Sequence, residues 1–194
     1  MNALHRWYCN SNHWARTLQG RVMPAALRGL DLGDAVLEVG PGPGKSTEWL
    51  RARVPHITAI EIDERLATQL DRRMEGTNVT VIHGDACAIP SDDASFSGAV
   101  SFTMLHHVPA SRQDALLREV ARVLRPGGVF TGTDSTPGFL WNVFHIMDDR
   151  YPVDPLTFGA RLEAAGFRAV HVRVGRGHFF WTATRADALA ASRP

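Results

Sequence analysis

Two hydrophobic periods take turns along this chain. Short apolar runs that close on glycine or an acid alternate with stretches whose apolar residues stand three and four apart. Residues 35–39 (AVLEV), His56–Glu61 (HITAIE), Asn78–Ile82 (NVTVI), Phe96–Phe102 (FSGAVSF) and Val129–Thr133 predict five strands. Helices are predicted from Ser46 to Arg53 and from an Asp63 cap to Met74, with Leu66 and Leu70 inward. Another follows a Ser111 cap and carries Ala115, Leu116, Leu117, Val120, Val123 and Leu124 on one face. Leu156–Ala165 reads as a helix ended by Gly166, and Ala169–Val174 with His178–Thr184 as a hairpin turning at Gly175-Arg176-Gly177. Upstream, Trp14–Leu18 and Ala26–Leu30 read as two short helices broken at Pro24. Strands that alternate with helices predict a parallel sheet covered on both faces, and the terminal hairpin predicts an antiparallel edge.

The stretch 136–155 breaks both periods. It holds Phe139, Leu140, Trp141, Phe144, Met147 and Tyr151 between Pro137, Gly138, Pro152 and Pro155, the composition of a lid or pocket wall or of a packed connection. The predicted organisation is an N-terminal helical cover over 1–34, one α/β domain over 35–187 and a tail over 188–194. With 194 residues, 44% of them hydrophobic, the chain suits one globular core. A net charge of +1 gives nucleic acid no electrostatic footprint. Cys9 and Cys87 stand apart in sequence, which suits a reducing compartment. His5, Cys9 and His13 would share a helix face, but a fourth metal ligand is missing nearby, so no metal is expected there. No apolar run approaches a membrane span and MNALHRWYCN lacks the core of a signal peptide, so the expectation is a cytoplasmic protein without membrane contact.

The chemistry concentrates where the first strand meets its helix, in Glu38-Val39-Gly40-Pro41-Gly42-Pro43-Gly44-Lys45-Ser46. Glycine at every second position lets the backbone turn sharply and approach a ligand without a Cβ between them, and the N–H groups opening the helix favour an anion. A phosphate-wrapping loop needs glycine five places before Gly44, where Val39 stands one residue off Gly40, and Glu38 would repel a phosphate. Nor does a strand supply a convincing magnesium-binding Asp, with only Thr133-Asp134 approaching that pattern. A dinucleotide turn wants G-x-G-x-x-G, and here the third glycine comes one place early.

The ordered set resembles the class I S-adenosylmethionine-dependent methyltransferases over about residues 35–184. An acid before G-x-G-x-G is matched by Glu38, Gly40, Gly42 and Gly44; a second strand ending in an acid by Glu61; a third leading to an Asp by Asp85 in Gly84-Asp85-Ala86; and the mark after the long helix by Leu124-Arg125-Pro126-Gly127-Gly128. The resemblance implies a Rossmann-like seven-stranded, mostly parallel sheet with helices on both faces and an antiparallel C-terminal edge strand. It implies S-adenosylmethionine as cofactor: Gly-turn amides on its carboxylate, Glu38 balancing its ammonium, Glu61 on its ribose hydroxyls and Asp85 on its adenine amino group. Ile62 and Ala86 or Cys87 would sandwich the adenine, and Ser101 on the fourth strand completes the cofactor-binding set.

The acceptor side is read from fewer residues. His106 and His107 follow the fourth strand, where this family commonly faces the transferred methyl, and either could take a proton from an oxygen or nitrogen acceptor or could fix the turn. Where some quinone-type O-methyltransferases carry Glu-x-x-Glu-His, this chain has Thr103, His106 and His107, so a metal is not expected. Ser101-Phe102-Thr103-Met104 stands in place of the Asn-Pro-Pro-Tyr type motif of base and amide N-methyltransferases. The expected acceptor is a small molecule, apolar or ring-bearing given Trp141, Phe144, Tyr151, Trp7 and Trp14, with no nucleic acid partner. A methyltransferase of protein or nucleic acid and a non-catalytic cofactor-binding protein on the same fold are the alternatives.

Overall fold

The computed structural model describes residues 11–138 and 150–187. β1 (Ala35–Val39), β2 (His56–Glu61), β3 (Val79–His83), β4 (Phe96–Phe102) and β5 (Leu124–Ser135) run parallel in one sheet. β6 (Phe167–Val174) and β7 (His178–Arg185) extend it to seven strands in the order β3-β2-β1-β4-β5-β7-β6. β7 is the antiparallel member, paired with β5 on one side and with β6, the outermost strand, on the other. The predicted mostly parallel sheet with an antiparallel hairpin at its edge is therefore present.

Alternation along β1 explains why the sheet needs cover on both faces. Val36 and Glu38 point one way, Leu37 and Val39 the other, and all four are at most 1% exposed. Leu37 and Val39 join Leu117, Val120, Phe130, Phe158 and Trp181 beneath α5 (Ala110–Val123) and α6 (Pro155–Ala164). Val36 joins Leu50, Ala59, Leu70, Val100 and Phe180 beneath α3 (Lys45–Leu50) and α4 (Glu64–Met74). Each such side chain contributes about 1.5–3 kcal/mol when fully buried.

Three predicted details differ. The N-terminal segment is not broken at Pro24: α1 (Asn12–Thr17) passes through a π-helical turn at Leu18–Val22 into α2 (Met23–Ala26). Proline lacks an N–H and its ring crowds the carbonyl four residues back; the wider turn and a place near the start of α2 accommodate both. Ser111 is not the cap of α5, which begins at Ala110 after Pro109 and has no side-chain cap bond. The fifth strand also runs farther than Val129–Thr133. Leu124 pairs with Phe96 and Val129 with Gly98, so Arg125-Pro126-Gly127-Gly128 is taken up as an irregularity within β5.

The strand order reverses between β1 and β4, and their C-terminal ends therefore open a crevice, the usual ligand position in doubly wound sheets. One packing constraint holds the other flank together. Gly132 of β5 lies between Ser101 and Trp181, and a Cβ there would run into the Ser101 carbonyl and the indole ring. Gly132→Ala is expected to destabilise the fold by about 2–3 kcal/mol or more, read as a fall in the urea midpoint at unchanged slope.

Candidate functional site

A cavity of about 610 Å³ fills that crevice, within the range of small-ligand sites. Its floor is the turn after β1. Gly40, Gly42 and Gly44 all have positive φ (66°, 55° and 79°). A Cβ on Gly40 would run into Met104, and one on Gly44 into Leu70 of α4. Nothing approaches the Cβ position of Gly42, whose backbone lines the open cavity. The turn is thus closed from behind by side chains and open in front.

Glu61, at the end of β2, is 6% exposed and lines the cavity. Its two oxygens accept the Gly42 and Asp63 N–H groups at 2.8 and 3.0 Å, which orients the carboxylate against the glycine turn. The adjacent Ile62 is 65% exposed at the cavity wall, a large apolar surface in contact with no core. Across from it lie Ala86 and Cys87. Asp85 accepts the Cys87 N–H through Oδ1 and the Arg112 guanidinium through Oδ2, at 2.8 and 2.7 Å. Burial would raise the Asp85 carboxyl, but these two donors outweigh it and hold its pKa below the usual value.

The two histidines part company. His107 lines the cavity, whereas His106 is 2% exposed and does not. Its Nδ1 faces Asp134 Oδ1 at the end of β5, and its backbone N–H donates to Asp134 Oδ2 at 2.9 Å. The two imidazoles lie 4.2 Å apart between centroids. Ser101 also stands away from the cavity: it is 1% exposed, and its hydroxyl has no hydrogen-bond partner among the described residues. Between β4 and the histidines, Thr103 adopts φ 53°, a genuine outlier for a β-branched residue, held by its N–H to the Thr133 carbonyl at 2.8 Å.

Sequence reasoning missed Asp134 as the partner of His106, Arg112 as the partner of Asp85, and Thr47, whose hydroxyl donates to Glu38 Oε2 at 2.6 Å. Trp14 of α1 and Leu18 of the π-helical turn line the cavity. Trp7, Trp141, Phe144, His5 and Cys9 lie outside the described residues. Among the described residues no group of three or more His, Cys, Asp or Glu could hold a metal ion, and no helix is long and apolar enough to cross a membrane.

A family model described as a methyltransferase domain matches residues 36–128, from β1 through the long helix into β5. The match makes residues 36–128, just under half of the chain, a methyltransferase domain. It is 35% identical over 109 residues to a fatty-acid O-methyltransferase of Mycolicibacterium smegmatis, covering 55% of this chain and 39% of that protein. It is 32% identical over 120 residues to a demethylmenaquinone methyltransferase of Clavibacter sepedonicus, covering 61% and 46%. The chain thus spans less than half the length of these curated relatives. A SAM-dependent methyltransferase structure from Aquifex aeolicus shares the fold, with a TM-score of 0.72 and 22% identity over 95% of this chain and 98% of that one.

The methyltransferase cavity fits the family's cofactor, S-adenosylmethionine, which carries a carboxylate, an ammonium, a ribose diol and an adenine. Backbone amides at an open glycine turn suit the carboxylate, and an exposed Ile62 beside Asp85 suits an apolar ring with an amino edge. The buried Glu38 is 1% exposed, and while Oε2 is held by Thr47, Oε1 has no partner among the described residues. Glu38 does not itself line the cavity; it stands behind the turn as a buried carboxylate with one oxygen unsatisfied.

Burial pushes the Glu38 pKa up to about 7, against hydrogen bonds from Ser46 and Thr47 that pull it down, with the Glu61 charge adding to the rise. In the unfolded chain the same group titrates near 4.5. Below that pH both states are protonated and nothing is lost. Between the two values only the unfolded chain ionises, so stability falls as pH rises, by about 3 kcal/mol in all, and stays low above 7. Glu38→Gln keeps the bond from Thr47 and should remove that fall. Chemical denaturation of the cofactor-free protein across pH 4.5–7.5 is expected to show a steep loss in wild type and a flatter profile in the variant.

Proposed function

We propose that this chain transfers the methyl group of S-adenosylmethionine to a small apolar acceptor, and that His107 accepts the proton the acceptor loses. The observation that carries this reading is the cavity itself, whose lining combines the glycine turn, Glu61 and Asp85 with His107 and the apolar side chains of Trp14, Leu18, Phe102, Met104 and Val108. Amides of the Gly40–Gly44 turn hold the cofactor's carboxylate, Glu38 its ammonium, Glu61 its ribose hydroxyls, and Asp85 the adenine amino group between Ile62 and Ala86. When bound, the cofactor supplies an electrophilic methyl on a positively charged sulfur, already activated for displacement.

The protein's part is then placement, exclusion of water and proton handling. The apolar side chains receive the acceptor and keep solvent from the methyl. An imidazole nitrogen of His107 would take the acceptor's O–H or N–H proton as the methyl passes to the acceptor oxygen or nitrogen, the carbon–sulfur bond breaking with its electron pair left on sulfur. His106 does not reach the cavity; with Asp134 it anchors the turn that presents His107, and it acts as a positioning residue. Ser101 belongs behind the site rather than in contact with the cofactor. The relatives that act on a fatty acid and on demethylmenaquinone, both acceptors with long apolar parts, support the apolar class.

Calorimetric titration tests the cofactor half. S-adenosylmethionine and its demethylated product should bind wild type at micromolar concentrations and bind Glu61→Ala and Asp85→Ala about tenfold or more weakly. A folded wild type that binds neither overturns the reading. Turnover tests the other half, with quinols as the first acceptors, because a fatty acid is already ionised near neutral pH and has no proton for His107 to take. His107→Ala should leave cofactor affinity within about twofold and lower kcat by roughly 10²–10⁴.

A further inference from the structure

Arg112 stands in the third position of α5, far in sequence from the loop after β3, and yet it lines the cavity with that loop. Its guanidinium donates to Asp85 Oδ2 at 2.7 Å, while Asp85 Oδ1 caps the Cys87 N–H. The Cys87 thiol in turn lies 3.5 Å from the Arg112 carbonyl, so helix and loop are tied by both side chain and main chain. Resting on the proposed cofactor assignment, we infer that Arg112 is a specificity-determining positioning residue, which fixes the Asp85 carboxylate so that it accepts from the 6-amino group of a purine.

The argument is one of donors and acceptors. A carboxylate has two oxygens, each with two lone pairs. The Cys87 amide and the Arg112 guanidinium take one site on each oxygen and fix the plane of the group, leaving the remaining lone pairs with a defined direction. Without Arg112, Asp85 keeps only its local bond to Cys87 and rotates about χ2. The ion pair is half exposed, with Arg112 49% and Asp85 32% accessible at the side chain, so its contribution to stability is small. Its effect lies in orientation, and orientation matters only to a ligand that donates to Asp85. A 6-oxo purine presents an acceptor at the corresponding edge and gains nothing from a carboxylate aimed at it.

The probes are the demethylated cofactor, S-adenosylhomocysteine, and its inosine counterpart, in which oxygen replaces the 6-amino group. Titration calorimetry on the full chain is expected to show Arg112→Leu weakening the adenosine ligand about fivefold while changing the inosine ligand less than about twofold, in line with partial loss of one charge-assisted bond. Arg112→Lys should recover part of the loss. In an Asp85→Ala background, Arg112→Leu should add less than about twofold, because the residue it acts through is gone. Equal weakening of both ligands, or a full effect of Arg112→Leu in the Asp85→Ala background, overturns the role given to Arg112. Failure of wild type to bind the adenosine ligand overturns the cofactor assignment instead, and the inference with it.

Discussion

The backbone between Val39 and Lys45 follows a left-handed path at three glycines, and the rest of the site depends on it. At Gly40 and Gly44 the space a Cβ would take is already filled, by Met104 from the turn after β4 and by Leu70 from α4. Those two contacts join three segments that are remote in sequence at one point behind the cavity. In front, the same path leaves Gly42 uncovered and lets its N–H reach Glu61. The Gly40 N–H still donates to the Ile60 carbonyl at 2.9 Å, so the β1–β2 ladder is extended to the edge of the turn before the chain departs. A side chain at either of the two packed glycines would push the turn forward into the space a ligand needs.

Buried carboxylates at strand ends show the division of labour around this turn. Asp134 is 0% exposed at the end of β5, and it is fully engaged by the His106 ring, the His106 N–H and the Ser135 N–H. Glu61, at the end of β2, holds two amides yet keeps a face on the cavity. Glu38, inside β1, is held at Oε2 by Thr47 with Ser46 close by, and its Oε1 has no partner among the described residues. Burying an unpaired charge is costly, and a group in that position shifts its pKa rather than remain ionised alone. Glu38 behaves in that way. The degree of satisfaction therefore separates the fully engaged Asp134 from the half-satisfied Glu38.

What could be read from the sequence follows the range of the interactions involved. β1, its glycine turn and the acids at Glu61 and Asp85 are local signals, each a run of apolar residues followed by a distinctive end, and the Asp63 cap on α4 was legible for the same reason. The π-turn ahead of Pro24 was not, because a single proline reads as a break until the wider turn that tolerates it is seen. The pairing of His106 with Asp134 and of Arg112 with Asp85 spans 28 and 27 positions, and no period carries that information. Two adjacent histidines look equivalent in a string. Only the short 3₁₀ turn at Leu105–His107 turns one into the core and the other to the cavity.

That turn is held more firmly than its three residues would suggest. Gln113, 3% exposed on α5, directs its amide nitrogen to the carbonyls of Leu105, Val108 and Tyr151 at 3.3, 3.1 and 2.9 Å. Two N–H groups serve three acceptors, so one bond is shared, and the amide oxygen accepts from Arg161 of α6 at 3.0 Å. The Tyr151 N–H donates back to the His106 carbonyl at 2.7 Å. One neutral side chain thus locks the histidine turn, Tyr151 and α6 into a single arrangement. A carboxylate at this position would face three carbonyl oxygens with no proton to offer, whereas an amide satisfies both them and the arginine. The position of His107 at the cavity is consequently set by side chains that never reach the cavity themselves, and this part of the lining depends on long-range packing as much as the glycine turn depends on local backbone geometry.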